Sequence, residues 1–335
     1  MLLETRMTRR WAVIAALSAA ITGMSGAAHA EDLQKVSVRM DWVISGYHAP
    51  FFVGVANGYY KDEGLEVTVE PGNGSGVVAQ AIGNGNGTFA AVDGGTMMNL
   101  VSKGLPVKAV MGILQRSPLS VVYHVDSGIK SPKDLEGKKI GVTNGEAPLI
   151  LLPAFLKASD VDQSKVQLIN ADAASKDVIM VARQVDAELN FNFLAIPPLE
   201  EHGLKVGTLN YADHGINVPG LSLIARTDYI ESNSDVVKRF VRATVKAYEW
   251  SMAHPEEAID ILIASNPGDK LPKASTLRTL VLSFDLLHTD ATKDKPVGLM
   301  AEEDWARAEE LLVEYADMQK TDSVNNYFTN EFVQP

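Results

Sequence analysis

Between residues 35 and 225 the chain alternates short β-rich runs with helical runs, and this alternation restricts it to α/β layers around mostly parallel sheets. Strands are expected over 36–42, 65–69, 88–92 and 107–114, separated by helices over 50–59, 75–82 and 96–102. A second set of strands follows at 120–125, 140–142, 166–169 and 187–191, with helices near 149–157 and 175–183, and 222–225 reads as one more strand. From 234 to 326 the pattern is nearly all helical; Val237, Phe240, Val241, Val245 and Tyr248 share one apolar face, and Pro255, Pro267, Pro272 and Pro296 punctuate the run. The layout predicts two lobes: 31–118 with 219–335 as the first, and 119–218 inserted as the second, with a cleft between them.

Arg6, Arg9 and Arg10 precede an uncharged apolar stretch over 11–21, and Ala28-His29-Ala30 gives a small-x-small cleavage pattern. The apolar stretch falls short of the roughly 20 residues a membrane-spanning helix needs. Residues 1–30 therefore read as a cleaved signal peptide and the mature chain as periplasmic, with an uncleaved anchor helix as the alternative and the export route, general secretory or twin-arginine, left open. Removing three Arg and one Glu with that segment turns 30 Lys+Arg and 42 Asp+Glu into 27 and 41, a net charge of −14. Such a surface repels nucleic acid and anionic lipid. With no cysteine there is no disulfide framework and no thiolate chemistry.

Ligands of open α/β sheets lie beyond the carboxyl ends of strands, so the loops after strands are the ones to read. The first, 41–50, gathers Asp41, Trp42, Tyr47 and His48 before a helix start. A flat aromatic beside donors and acceptors suits stacking on a heterocycle; the alternative places Trp42 and Tyr47 in the core and leaves His48 as a cap. Gly72-Asn73-Gly74-Ser75-Gly76 opens a helix, so its backbone N–H groups suit an anion or a carbonyl, or else it is a tight turn with Ser75 as N-cap. Asp93-Gly94-Gly95-Thr96 repeats the arrangement. In the second set, Asn144, Gly145 and Glu146 lie on one such loop and Asn190 and Asn192 at the end of another strand; asparagines offer both donors and acceptors, as a neutral heterocycle requires. Gly83 to Gly87 precedes a strand and reads as a linker turn.

Neither a histidine pair at metal-ligand spacing nor a Gly-x-Ser-x-Gly elbow occurs in the sequence, so binding without catalysis, metal or cofactor is expected.

Asp41-Trp42, Tyr47-His48-Ala49-Pro50, Ala56-x-Gly58-Tyr59-Tyr60-x-x-Glu63-Gly64-Leu65, Gly104-Leu105-Pro106-Val107 and Leu135-x-Gly137-Lys138-Lys139-Ile140-Gly141 resemble the periplasmic binding proteins for nitrate, sulfonate, taurine and thiamine pyrimidines, most closely the thiamine-pyrimidine branch. The resemblance implies a two-lobed type II periplasmic binding protein, with mixed, mostly parallel sheets flanked by helices and a helical C-terminal part. It also implies Trp42 as stacking platform, Asp41 and His48 as polar contacts at the ring edge, and Gly145 and Glu146 on a loop that approaches phosphate in the pyrimidine-forming enzyme of that branch. That enzyme's pyridoxal-phosphate lysine aligns with Val92, its nearby histidine with Thr96 and a key glutamate with Asn192, and its cysteine run is missing, so synthesis is not expected. The expected function is capture of a thiamine pyrimidine precursor by a monomer that partners an ABC permease. The alternatives are a sulfonate, nitrate or flavin ligand on the same fold, a pyrimidine-forming enzyme, or a sensor module for a membrane partner. An oxyanion would call for convergent arginines, and the cleft loops hold little beyond Arg116.

Overall fold

The computed structural model describes residues 33–333; the signal peptide expected over 1–30 lies outside the described residues. The strands β1 (Gln34–Arg39), β2 (Leu65–Glu70), β3 (Phe89–Asp93), β4 (Val107–Gly112), β5 (Leu119–His124), β6 (Lys139–Val142), β7 (Gln167–Asn170), β8 (Ala187–Phe191), β9 (Val206–Asn210) and β10 (Leu221–Arg226) form two five-stranded sheets, ordered β2-β1-β3-β10-β4 and β7-β6-β8-β5-β9. In each sheet four strands point one way and the fourth in the row opposes them: β10 is antiparallel to β3 and β4, and β5 to β8 and β9. These two are the strands that follow a crossing between sheets. A chain that arrives at the carboxyl edge of a sheet begins its strand where the neighbours end, so it runs against them. The topology therefore turns the carboxyl edges, and the loops that follow the strands, toward each other.

The crossings lie side by side. The N–H groups of Ile113 and Leu114, after β4, both donate to the carbonyl of Leu221, at 2.8 and 2.9 Å. Just before β10, a Cβ on Gly220 would stand 2.5 Å from the Leu114 carbonyl oxygen and 2.7 Å from that of Arg116, so only glycine lets the two segments meet.

The helices are α1 (Ala49–Ala56), α2 (Tyr59–Asp62), α3 (Ser75–Gly83), α4 (Gly94–Val101), α5 (Ala147–Ala158), α6 (Lys176–Val181), α7 (Asn192–Glu201), α8 (Thr227–Ser232), α9 (Ser234–Ala253), α10 (Pro255–Ser265), α11 (Lys273–Phe284) and α12 (Glu302–Tyr315). The apolar face of α9 packs on the first sheet, where Phe240 stacks between Phe89 (centroids 4.1 Å apart) and Tyr60 (5.0 Å). Val237 and Val241 are buried as the spacing predicts, but Val245 is only partly so. The place in the stripe goes to Thr244, which is buried with its hydroxyl donating to the Phe240 carbonyl at 2.8 Å and standing 3.1 Å from the Tyr60 hydroxyl. The last helices touch both halves of the molecule: Arg278 of α11 pairs with Glu200 of α7, and Lys157 of α5 donates to the Glu314 carbonyl of α12 at 2.8 Å.

Among the elements not expected from the sequence are helices α7 and α8 and strand β9. Helix α7 contains Pro197 and Pro198, a pair that reads as a stop because proline removes backbone donors. Strand β9 contains Gly207, which weakens a strand by propensity; here the absence of a Cβ makes room for the Tyr123 ring, whose Cζ would lie 2.6 Å from one. Gly83 to Gly87 forms the expected turn, with Gly85 and Gly87 at φ +83° and +123°.

Candidate binding site

Trp42 and Asp41 leave the carboxyl end of β1, and the chain then makes a single helical turn, Gly46–His48. The backbone N–H of Ser45 donates to Nδ1 of His48 at 3.2 Å, so the imidazole proton resides on Nε2, which donates to Oδ1 of Asp41 at 3.1 Å. The Tyr47 hydroxyl donates to both Asp41 oxygens, at 3.1 and 3.2 Å. Asp41 is thus oriented by two neutral donors. Burial, with the charge of Asp41 added, pushes the Tyr47 hydroxyl well above its ordinary pKa, so it stays a donor.

The facing wall comes from the second sheet. Glu146, after β6, accepts from the Thr143 N–H at 2.8 Å and pairs with Lys176 at the start of α6. Lys176 also donates to the Leu189 carbonyl, and its Nζ lies 4.7 Å from the centroid of the Trp42 ring. The lysine is 1% exposed, which makes this a cation–π contact in a dry setting. Burial raises the pKa of Glu146 against the pull of Lys176. Behind it, Glu188 accepts from Asn190 Nδ2 at 2.9 Å, and burial, reinforced by the charge of Asp177, pushes its carboxyl up to about 8. Across the cleft Asp93 caps α4 by accepting from the Thr96 N–H at 2.6 Å, yet burial pushes it up to about 7. Among the described residues, Asp93 Oδ2, Thr96 Oγ1 and Glu188 Oε2 are buried without a hydrogen-bond partner.

These walls enclose a cavity of about 20 Å³, lined by Asp41, Trp42, Tyr47 and Ser75 on one side and by Glu146, Ala147, Pro148, Asn190, Phe191 and Leu194 on the other. It has room for about one water. A chamber of about 550 Å³ adjoins it, sharing Trp42, Asn190 and Leu194 and reaching Pro272 and Thr276 at α11. That volume lies in the range of small-molecule sites.

Six of the residues singled out from the sequence, Asp41, Trp42, Tyr47, Ser75, Glu146 and Asn190, line the small cavity together. His48 and Thr96 stand behind it, each bound to an aspartate. Asn144 is exposed, and the Asn192 side chain is committed to Asn210 at 2.9 Å and to the Phe193 N–H at 2.6 Å; neither lines the cavity.

The glycine-rich loop differs from its anion-cradle expectation. Its Gly72 and Gly74 N–H groups donate to the carbonyls of Trp42 and Asp41, and that of Gly76 to Gly145 across the cleft at 3.0 Å. The N-cap of α3 is Gly74, while Ser75 Oγ accepts from the Asp93 N–H at 3.0 Å. The Asp93-Gly94-Gly95 amides are likewise spent: Gly94 and Gly95 donate to Gly220 and Pro219. Gly145, at φ +83°, belongs to this closing contact, where a Cβ would stand 2.5 Å from Val77 Cγ2.

Lys176 and Glu188 were missed. Lys176 sits in Ser-Lys-Asp, which reads as a solvated helix start; Glu188 left a signal, a lone charge within the apolar strand Ala-Glu-Leu-Asn-Phe.

Known proteins with similar sequences include a riboflavin-binding protein of Chloroflexus aurantiacus, 27% identical over 310 residues (90% of this chain, 86% of that protein). A formylaminopyrimidine-binding protein of Halalkalibacterium halodurans is 28% identical over 281 residues (82% and 83%). A 4-amino-5-hydroxymethyl-2-methylpyrimidine phosphate synthase of Legionella pneumophila is 24% identical over 278 residues (78% and 84%). Among solved structures, the alkanesulfonate-binding protein of Xanthomonas axonopodis superposes with a TM-score of 0.66 at 13% identity, covering 88% of this chain and 98% of that one. The architecture is the two-lobed periplasmic binding protein fold expected from the sequence. The family model described as NMT1/THI5 like matches residues 45–258, well over half of the length, and the chain belongs to that family.

Proposed function

We propose that the protein is an extracytoplasmic solute-binding component of an ABC importer that captures a small nitrogen heterocycle between two lobes, 31–118 with 219–335 and 119–218. One observation carries this reading: side chains from the carboxyl edges of both sheets meet around Trp42, with Asp41, Tyr47 and Ser75 on one side and Glu146 and Asn190 on the other. An aromatic face ringed by acceptors and a carboxamide suits a flat ring that carries amino groups. Lys176 lies against one face of the indole, so an incoming ring would stack on the other. A pyrimidine precursor fits the polar edge and agrees with the formylaminopyrimidine-binding relative.

The 550 Å³ chamber favours a second ligand, a flavin, whose tricyclic ring and side chain would use volume that a single pyrimidine leaves empty. Oxyanions are disfavoured. Arg116 lies away from the small cavity, its guanidinium donating to the Asp285 carbonyl at 3.2 Å, and Lys176 is already paired with Glu146. Synthesis of the pyrimidine is disfavoured by Val92, buried in the core at the position aligned with the enzyme's lysine.

The test is a thermal-shift screen of aminopyrimidines, riboflavin, sulfonates and nitrate, followed by calorimetry. A raised melting temperature with an aminopyrimidine or riboflavin supports the reading. A response confined to sulfonate or nitrate overturns it.

A further inference from the structure

Asp41 borders the cavity yet faces no cation. The groups bonded to it are the Tyr47 hydroxyl and the His48 ring from the turn after β1, and those near enough to feel its charge are Asp93 at the end of β3 and Tyr248 of α9. His48 is neutral, since its Nδ1 accepts a backbone N–H. Among the described residues no Lys or Arg comes within ion-pair distance of Asp41. The one buried ammonium nearby, Lys176, is committed to Glu146, with Asp177 and Glu188 also close to it.

The site thus sets five carboxyl groups, those of Asp41, Asp93, Glu146, Asp177 and Glu188, around one ammonium. A buried carboxyl can shed its charge by taking up a proton, and Asp93 and Glu188 are buried enough to do so. Asp41 instead takes its hydrogen bonds from two donors, the His48 Nε2–H and the Tyr47 hydroxyl, an arrangement that suits a carboxylate. A carboxylate buried without a countercharge is costly, and a ligand that supplies the positive charge removes that cost.

We propose that the ligand is held as a cation, a protonated amino-heterocycle whose ring nitrogen or amidine-like edge pairs with Asp41, and that a neutral ring base is protonated as the cleft closes on it. The inference rests on the heterocycle reading and narrows it to basic rings.

The probe is 4-aminopyrimidine, with the non-basic pyrimidin-4-one as comparator and methanesulfonate as the anionic control. Calorimetry at pH 8 in buffers of different ionisation heat should show uptake of about one proton per 4-aminopyrimidine bound. The affinity ratio of 4-aminopyrimidine to pyrimidin-4-one should rise about tenfold per unit as pH falls from 8 toward the free base's own pKa. In Asp41→Asn, whose folding is checked by circular dichroism, that ratio should become nearly independent of pH. Binding of 4-aminopyrimidine without proton uptake, or of pyrimidin-4-one with equal affinity, overturns the cation inference and leaves the heterocycle reading standing. Binding of methanesulfonate with neither ring bound overturns both.

Discussion

The ammonium of Lys176 lies 4.7 Å from the centroid of the Trp42 ring, joining the second half of the molecule to the aromatic platform of the first. The contact ties the ordering of the binding surface to the buried charge network behind it.

Replacing Lys176 with Met leaves Glu146 buried without its cation. Loss of one partner of a buried pair costs about 3 to 5 kcal/mol, and urea unfolding should show a loss of that order. Adding Glu146→Gln to the variant should recover part of it, because no unpaired charge then remains in that pair. A single variant within about 0.5 kcal/mol of wild type would count against the network.

Trp42→Ala should weaken ligand binding by about 1 to 3 kcal/mol through loss of ring stacking. Calorimetry with the best heterocycle from the screen measures it. Unchanged affinity would remove Trp42 from the site.

Asn190 and Asn192 should separate. Asn190 lines both the cavity and the chamber, so Asn190→Ala should weaken binding. Asn192 opens α7 and bonds Asn210 and the Phe193 N–H, so Asn192→Ala should cost about 1 kcal/mol of stability, as for a lost helix-start bond, and leave affinity nearly unchanged. Equal loss of affinity in both variants would contradict this division.

The central strands were legible as short apolar, β-rich runs because both faces of each sheet are covered, so that β3, β8 and β10 are buried almost throughout, and the run 187–191 matches β8 even in its bounds. What sequence could not convey was hydrogen-bond commitment. Gly76 and His48 have the chemistry of ligand contacts, but their donors are spent within the protein, on Gly145 and Asp41. Likewise Lys176 is buried because α6 lies against the second sheet, a tertiary fact that its polar neighbours in sequence conceal.

Asp93 should make stability depend on pH. Its carboxyl titrates near 7 when folded and near 3.8 in the ordinary state, so the native form binds the proton more tightly. The stabilisation from that proton is present below about pH 4 and is lost as pH rises to about 7. At 1.36 kcal/mol per unit the swing is at most about 4 kcal/mol. Asp93→Asn should flatten the urea midpoint across this window without abolishing the slope, since Glu188 acts in the same direction. An unaltered slope would show that Asp93 is ionised in the native state.

Gly76→Val tests closure. Gly76 lies in α3, where valine is tolerated, but a Cβ there would stand 2.4 Å from Ile150 Cδ1 and 3.1 Å from the Gly145 oxygen across the cleft. The variant should fold, fail to compact with ligand in solution scattering and release ligand faster. Normal compaction would show that the glycine contact does not limit closing.

The crossing segments at Ile113–Leu114 and Leu221 have a mechanical consequence. Two strands tied side by side make a ribbon and not a thread. A thread lets its ends swivel about any axis, whereas a ribbon flexes across its flat face and resists shear and twist, which would break the hydrogen bonds between its edges. Opening would then follow one easy direction, like a book about its spine. Each stroke would carry Lys176 back to the same place over Trp42, with no rotational search before the cleft shuts.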